Sequence, residues 1–304
     1  MAKSAQMSNK EYRTKEGISA SDLKKMVKSM ATWKYEQDNP ADNDSAALLF
    51  GRAYHKLMLE PDDFDNEFKV IPAFNCSTKE GKLAYASYVE ELIGRELTDD
   101  EKKYKDSITA VLMNNTPNVD FISREDKDKL IEMQKALYAT PFVKLLIEGE
   151  HEKSFFWTDK ASGVKCKCRP DSYGMVKDQC ICVDLKTTNN AETNAFMRDA
   201  LKFNYDIQAA HYCEGLENIL KKPFKFIFIA QEKTAPYLVN VLEADDYFVR
   251  NGAEIRKMLL DKYKTCVKTN KWPGYMDENS KINSLSVPAW IKDSLDMDDE
   301  EVIE

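Results

Sequence analysis

Apolar residues fall at helical spacing in the first sixty positions. From Ile18 to Gln37, Leu23, Met26, Val27, Met30 and Trp33 share one side behind Ser19, with Asp22 three residues on, which predicts one capped helix. Ser45 to Glu60 repeats the pattern with Leu48, Leu49, Leu57 and Leu59 and is stopped by Pro61. The pattern lapses from Pro61 to Asn75, apart from an extended apolar piece at Phe68 to Ile71. Charge-rich helices follow over Lys79 to Ile93, Thr98 to Asn114, Ser123 to Ala139 and Pro141 to Ile147, read as one helical insertion packed beside a sheet.

From His151 the apolar runs shorten to strand length. Lys153 to Thr158 is one such run. Gly163 to Lys186 holds two more, ending in Arg169-Pro170-Asp171 and Asp184-Leu185-Lys186, around a turn with Gly174, Lys177 and Asp178, which is a hairpin pattern. Phe224 to Gln231 and Tyr237 to Leu242 complete a sheet of about five strands, with helices Ala191 to Phe203 and Tyr205 to Leu220 before the fourth. Asp245 to Thr269 is a long last helix, and Trp272 to Trp290 a tail that packs on the domain. The expectation is a single α/β domain over residues 1–304: N-terminal helices at 18–60, the insertion at 78–147, the sheet core at 151–269 and the tail at 270–304.

Composition narrows this little. No run of eighteen apolar residues is present and the N-terminus is polar, so a cytoplasmic protein without a membrane span or secretory signal is expected. Seven cysteines, an odd number, suit a reducing compartment. Cys166 with Cys168 and Cys180 with Cys182 form two CxC pairs, for which buried thiols are the default and zinc the alternative. The net charge of −8 disfavours nucleic acid as a partner, but much of the acid lies at Asp38 to Asp44 and Asp293 to Glu304, while the hairpin carries Lys165, Lys167, Arg169, Lys177 and Lys186.

The chemistry gathers at strand ends. Asp184 and Lys186, two apart, share a strand face, and a hairpin partner brings Asp171 near them. Two carboxylates and an ammonium are either a solvated strand end or the ligands of a hard divalent cation with a group that steadies a water or a phosphate. Gly51 and His55 lie four apart on one helix face, where the glycine marks close packing and the histidine is either a core residue or a ligand. Gln208 and Tyr212 repeat that spacing and suit contact with a phosphodiester or base, although an ordinary amphipathic helix gives the same pattern. His211 is turned about 100° from Tyr212 and is the poorer candidate.

Taken in order, G-x-x-x-H at Gly51–His55, R-P-D at Arg169–Asp171, D-L-K at Asp184–Lys186 and Q-x-x-x-Y at Gln208–Tyr212 resemble the RecB-like branch of the PD-(D/E)XK nucleases. The likeness is greatest to RecE-type, exonuclease VIII-like enzymes of phage and prophage, and runs from Leu48 to Trp290 through GRAYHKLMLEP, KCRPD, DLKTT and the WPGY…PAW tail. It implies a central mixed sheet of about five strands flanked by helices, with His55, Asp171, Asp184 and the Leu185 backbone carbonyl around Mg2+, Mn2+ being tolerated. It implies Lys186 as the catalytic lysine, Gln208, Tyr212 and Arg169 on DNA, and Glu152 as an additional acid. The implied activity is digestion of linear double-stranded DNA from its ends, 5′ to 3′, leaving 3′ single strands for recombination. The implied assembly is a homotetrameric ring working with a single-strand annealing protein. An iron–sulfur cluster of the kind held by one early and three late cysteines is not expected, since only Cys266 follows Cys213. The competing readings are a structure-specific or restriction-like endonuclease and a non-catalytic DNA-binding recombination partner.

Overall fold

The computed structural model describes residues 3–40, 45–276, 282 and 285–287. The chain begins with strand β1 (Lys3–Ala5) and helices α1 (Asn9–Thr14), α2 (Ala20–Lys28), α3 (Met30–Asp38), α4 (Ala46–Leu59) and α5 (Phe64–Glu67), then strand β2 (Phe68–Ile71). Helices α6 (Lys79–Ile93), α7 (Asp99–Lys102) and α8 (Lys105–Asn115) lead to β3 (Asp120–Ser123), α9 (Arg124–Ala139) and α10 (Val143–Ile147). Strands β4 (Glu150–His151), β5 (Ser154–Thr158), β6 (Lys165–Cys168), β7 (Ser172–Val176) and β8 (Gln179–Thr188) follow. Helices α11 (Thr193–Lys202) and α12 (Tyr205–Leu220), strands β9 (Lys225–Glu232) and β10 (Val239–Ala244), and helix α13 (Asp246–Thr269) complete the described chain.

The expected first helix is two. Ser29 is extended (φ −172°) and its hydroxyl accepts from the Thr32 amide at 2.9 Å, so it ends α2 and caps α3. Such a cap contributes about 1 kcal/mol, enough to fix a break that the apolar period runs straight through. The expected helix over Thr98 to Asn114 is likewise divided, into α7 and α8. Within 78–147, α6 and α8 bury Tyr85, Val89, Ile108 and Leu112 in a small core of their own, whereas α9 packs with α4 against the main sheet.

The main sheet has five strands in the order β10-β9-β8-β7-β4, with β8 and β9 parallel and the other pairs antiparallel, so the α/β fold with a central mixed sheet is as expected. Its membership differs. The hairpin that ends in Asp184–Lys186 is β7–β8, turning at Lys177–Asp178, with Gly174 inside β7 rather than in the turn. The run through Cys166 and Cys168 is β6, which pairs with β5 in a separate three-stranded sheet with β1. Pro170 is the physical cause: it has no N–H to give a ladder, so the two strands on either side of it join different sheets. The tail reaches the domain at Trp272, whose ring packs at a tilt against Trp33 and Tyr263, while Trp290 lies outside the described residues.

Alternation along β8 and β9 divides the core. Ile181, Val183, Leu185, Ile227 and Ile229 face α4 and α9, whereas Cys182, Phe226, Phe228 and Ala230 face α12 and α13. Burying one such aromatic or aliphatic side chain contributes roughly 1.5–3 kcal/mol. Gly252 lets α13 cross α12 closely, since a Cβ there would lie 2.0 Å from the Asp206 carbonyl oxygen. All seven cysteines are free, and the two CxC pairs are on different sheets. Among the described residues, no helix is long and apolar enough to cross a membrane.

Candidate functional site

Strand β8 outruns its partner. Strand β7 pairs only as far as Val183, so from Asp184 to Thr188 β8 is paired with β9 alone and its other edge is open. Asp171, just before β7, faces that edge and its Oδ2 accepts the Leu185 amide at 2.7 Å. The N–H and C=O of one strand residue point to the same edge, so the Leu185 carbonyl faces this side too.

Helix α4 brings His55. Tyr54 is fully buried and its hydroxyl donates to Gln231 on β9 at 2.8 Å, which fixes the helix over the sheet. His55 Nδ1 then lies 3.2 Å from Asp171 Oδ2. The packing expected at Gly51 is absent: a Cβ there would meet nothing within 4 Å, because the glycine faces an open groove of roughly 2360 Å³ that also reaches His55, Glu152 and Lys186.

Glu152 joins from the β4–β5 connection. Its backbone is left-handed (φ +52°), a conformation costly for a non-glycine residue, and its amide donates to the Asp171 carbonyl at 3.2 Å. One ligand atom each from His55, Glu152 and Asp171 lies within 4.8 Å of the others, and among the described residues this is the one group of three or more such side chains so placed. Arg169, expected on DNA, has its Nε 2.8 Å from the Glu152 carbonyl oxygen and 3.0 Å from Glu152 Oε2.

Asp184 is 1% exposed, on the α12 side of the sheet. Its Oδ1 accepts the Gln208 amide, and its Oδ2 lies against the Lys186 ammonium without a directed hydrogen bond. Tyr212, one turn further along α12, packs edge-on to Phe226 and borders the groove. His211 faces away into another network, as its rotation on the helix foretells.

Charge crowding shows in the protonation preferences. Burial raises Glu152, the Asp171 carboxylate adds to it, and Arg169 only partly offsets them, leaving Glu152 at about 7. Burial also lifts Asp184 above the usual carboxylate range despite Lys186. Asp171 goes the other way, because the His55 charge and hydrogen bond outweigh burial. Burial opposes the charged forms of His55 and Lys186, but Asp171 carries His55 up to about 9, and Asp184 with Asp171 holds Lys186 as an ammonium.

The donor set fits a hard divalent metal: two carboxylates and an imidazole nitrogen within one ion's reach, with the undirected Asp184 Oδ2 nearby. Sequence reasoning missed Lys24, whose Nζ donates to Gln208 Oε1 at 2.6 Å, and Tyr205, whose ring lies under both Lys24 and Lys186. Lys24 stands beside Lys25 in an amphipathic helix, where a lysine reads as solvated surface.

Residues 19–284 match a family described as a PDDEXK-like domain of unknown function (DUF3799). Among solved structures, a protein from Eubacterium rectale bearing the name "putative exonuclease" is similar at 16% identity and a TM-score of 0.58, over 95% of this chain and 98% of that one. At that identity the likeness is one of fold. A second structure, SSO0001, at 14% identity and a TM-score of 0.27 over 72% of this chain and 88% of that one, is too distant to bear on the fold. No curated protein matches.

Proposed function

Because the chain belongs to this PDDEXK-like family, we propose that it is a metal-dependent exodeoxyribonuclease that degrades linear double-stranded DNA from its ends. The observation that carries the reading is the convergence of His55, Glu152 and Asp171 within one ion's reach, beside the Asp184–Lys186 pair at the open end of β8.

His55, Glu152 and Asp171 would hold a divalent metal, Mg2+ or Mn2+, with Asp184 and the Leu185 carbonyl beside it. Bound there, such a metal would supply Lewis acidity to a water and positive charge beside the phosphate. The protein's own groups do the rest. Lys186, kept as an ammonium by two carboxylates, steadies the attacking water and the charge that develops on the phosphate. Gln208 fixes Asp184, and Arg169 fixes Glu152 so that a carboxylate with a raised pKa stays aimed at the pocket. Tyr212 and the groove walls take the DNA strand. Polarity from 5′ to 3′, 3′ single strands for recombination, a tetrameric ring and an annealing partner belong to the same proposal and are supported by the RecE-type resemblance.

The test compares linear with covalently closed circular duplex in Mg2+. Loss of the linear duplex alone, abolished by EDTA, is expected. Cleavage of the closed circle would make the protein an endonuclease, and no cleavage of either would make it a DNA-binding relative.

A further inference from the structure

Lys24 is a half-buried lysine on α2, a helix held at its start by the Ser19–Asp22 capping box and in the core by Leu23 and Met26. Its ammonium donates to Gln208 Oε1 at 2.6 Å and sits 4.5 Å from the Tyr205 ring centroid, with the Lys186 ammonium 4.8 Å from the same ring. Gln208 is 6% exposed, and its Nε2 donates to Asp184 Oδ1.

A carboxamide has two unlike ends, and here each faces a charge. As placed, the oxygen meets an ammonium and the N–H meets a carboxylate. Reversed, oxygen would face carboxylate and N–H would face ammonium, and in a buried site both contacts are repulsive. Lys24 therefore decides which end of Gln208 reaches Asp184. Burial and the neighbouring Lys186 charge pull its own pKa down to about 7, so this ammonium is held at a cost beside another.

We propose that Lys24 is a positioning residue for the nuclease reaction: it locks the Gln208 carboxamide with its N–H end on Asp184, and so sets how Asp184 presents its other oxygen, Oδ2, to Lys186. This rests on the nuclease reading, and the experiment separates the two. The chain has six glutamines, so selective 15N labelling of their side-chain amides gives a sparse spectrum in which the pair lost in Q208A identifies Gln208. In the intact protein the Gln208 amide protons exchange slowly with solvent. In K24M they exchange faster, and in K24R they remain protected, with melting temperatures confirming that each variant is folded.

Single-turnover and steady-state digestion of linear duplex then read the consequence. K24M lowers kcat about tenfold with KM changed less than about twofold, and in a Q208A background the same substitution costs less than about twofold. K24R recovers most of the rate. Unaltered Gln208 exchange in K24M overturns the proposal, as does an unchanged kcat. A loss confined to KM, or one fully additive with Q208A, also overturns it by making Lys24 a direct DNA contact. If the unmodified protein digests no DNA, the nuclease reading fails while the exchange data still decide whether Lys24 orients Gln208.

Discussion

Helix α12 carries two polar clusters three residues apart, and they differ in how charge is answered. His211 turns toward Arg256, which is 4% exposed and whose guanidinium binds the His211 Nδ1 at 3.1 Å, Asp159 at 2.9 Å and Glu214. There burial opposes the Asp159 charge, but hydrogen bonds from Ser162 and the guanidinium hold it at about 2, and burial keeps His211 neutral down to about 3. The charges are met within the cluster. Gln208 turns toward Asp184, on the side of the molecule where Asp171 and Glu152 crowd one another, Glu152 rises to about 7 and a groove opens beside them. Similar residue types make a lock in one place and a receptive pocket in the other. The difference is one of access and crowding: a single guanidinium ties Asp159, Glu214 and His211 together inside the fold, whereas His55, Glu152 and Asp171 converge within one ion's reach on an open groove.

The two clusters should respond differently to losing a cation. K186M should reduce hydrolysis of linear duplex by at least about a hundredfold in single turnover, through loss of transition-state charge stabilisation, with a smaller loss of melting temperature than R256M, because Asp184, already lifted above the usual carboxylate range, takes up a proton when its cation is removed. R256M should do the reverse. It leaves Asp159 buried without its cation, so denaturant unfolding should show a loss of about 3–5 kcal/mol, while activity per folded molecule is unchanged.

A smaller effect sharpens the contrast. E152Q removes one member of the crowded set, so Mn2+ binding measured by calorimetry should weaken about tenfold, or 1.4 kcal/mol, while the melting temperature holds or rises. The smallest is a pH effect on the lock. His211 binds a proton at about 6.5 when unfolded and only at about 3 when folded. Stability from the neutral ring is thus complete above pH 6.5 and is lost as pH falls toward 3, because the unfolded chain takes the proton first. Melting temperatures of H211Q should therefore fall less steeply than those of the parent between pH 6.5 and 4.

The residues that the fold brings together at the candidate site were legible in the sequence where residue type and strand position coincide: Asp184 and Lys186 on one face of β8, Asp171 after Pro170, and His55 on the face of α4. Partners were less so. The runs on either side of Pro170 alternate alike, and periodicity does not say which strand pairs with which, so β6 was expected beside β8 when β7 takes that place. Ser29 was hidden because Met26, Met30 and Trp33 keep the helical period across the break it caps. Arg169 and Lys24 read as charges for solvent or DNA, and only the fold shows each bound to a site residue.

If this pocket cleaves DNA with a divalent metal, as proposed, removal of Asp184 should abolish the activity. The direct measurement is digestion of linear duplex in Mg2+ by the parent protein and by D184A, with matched circular dichroism spectra. Rapid degradation by the parent and none by D184A is expected, and undiminished degradation by D184A would overturn the assignment of the site.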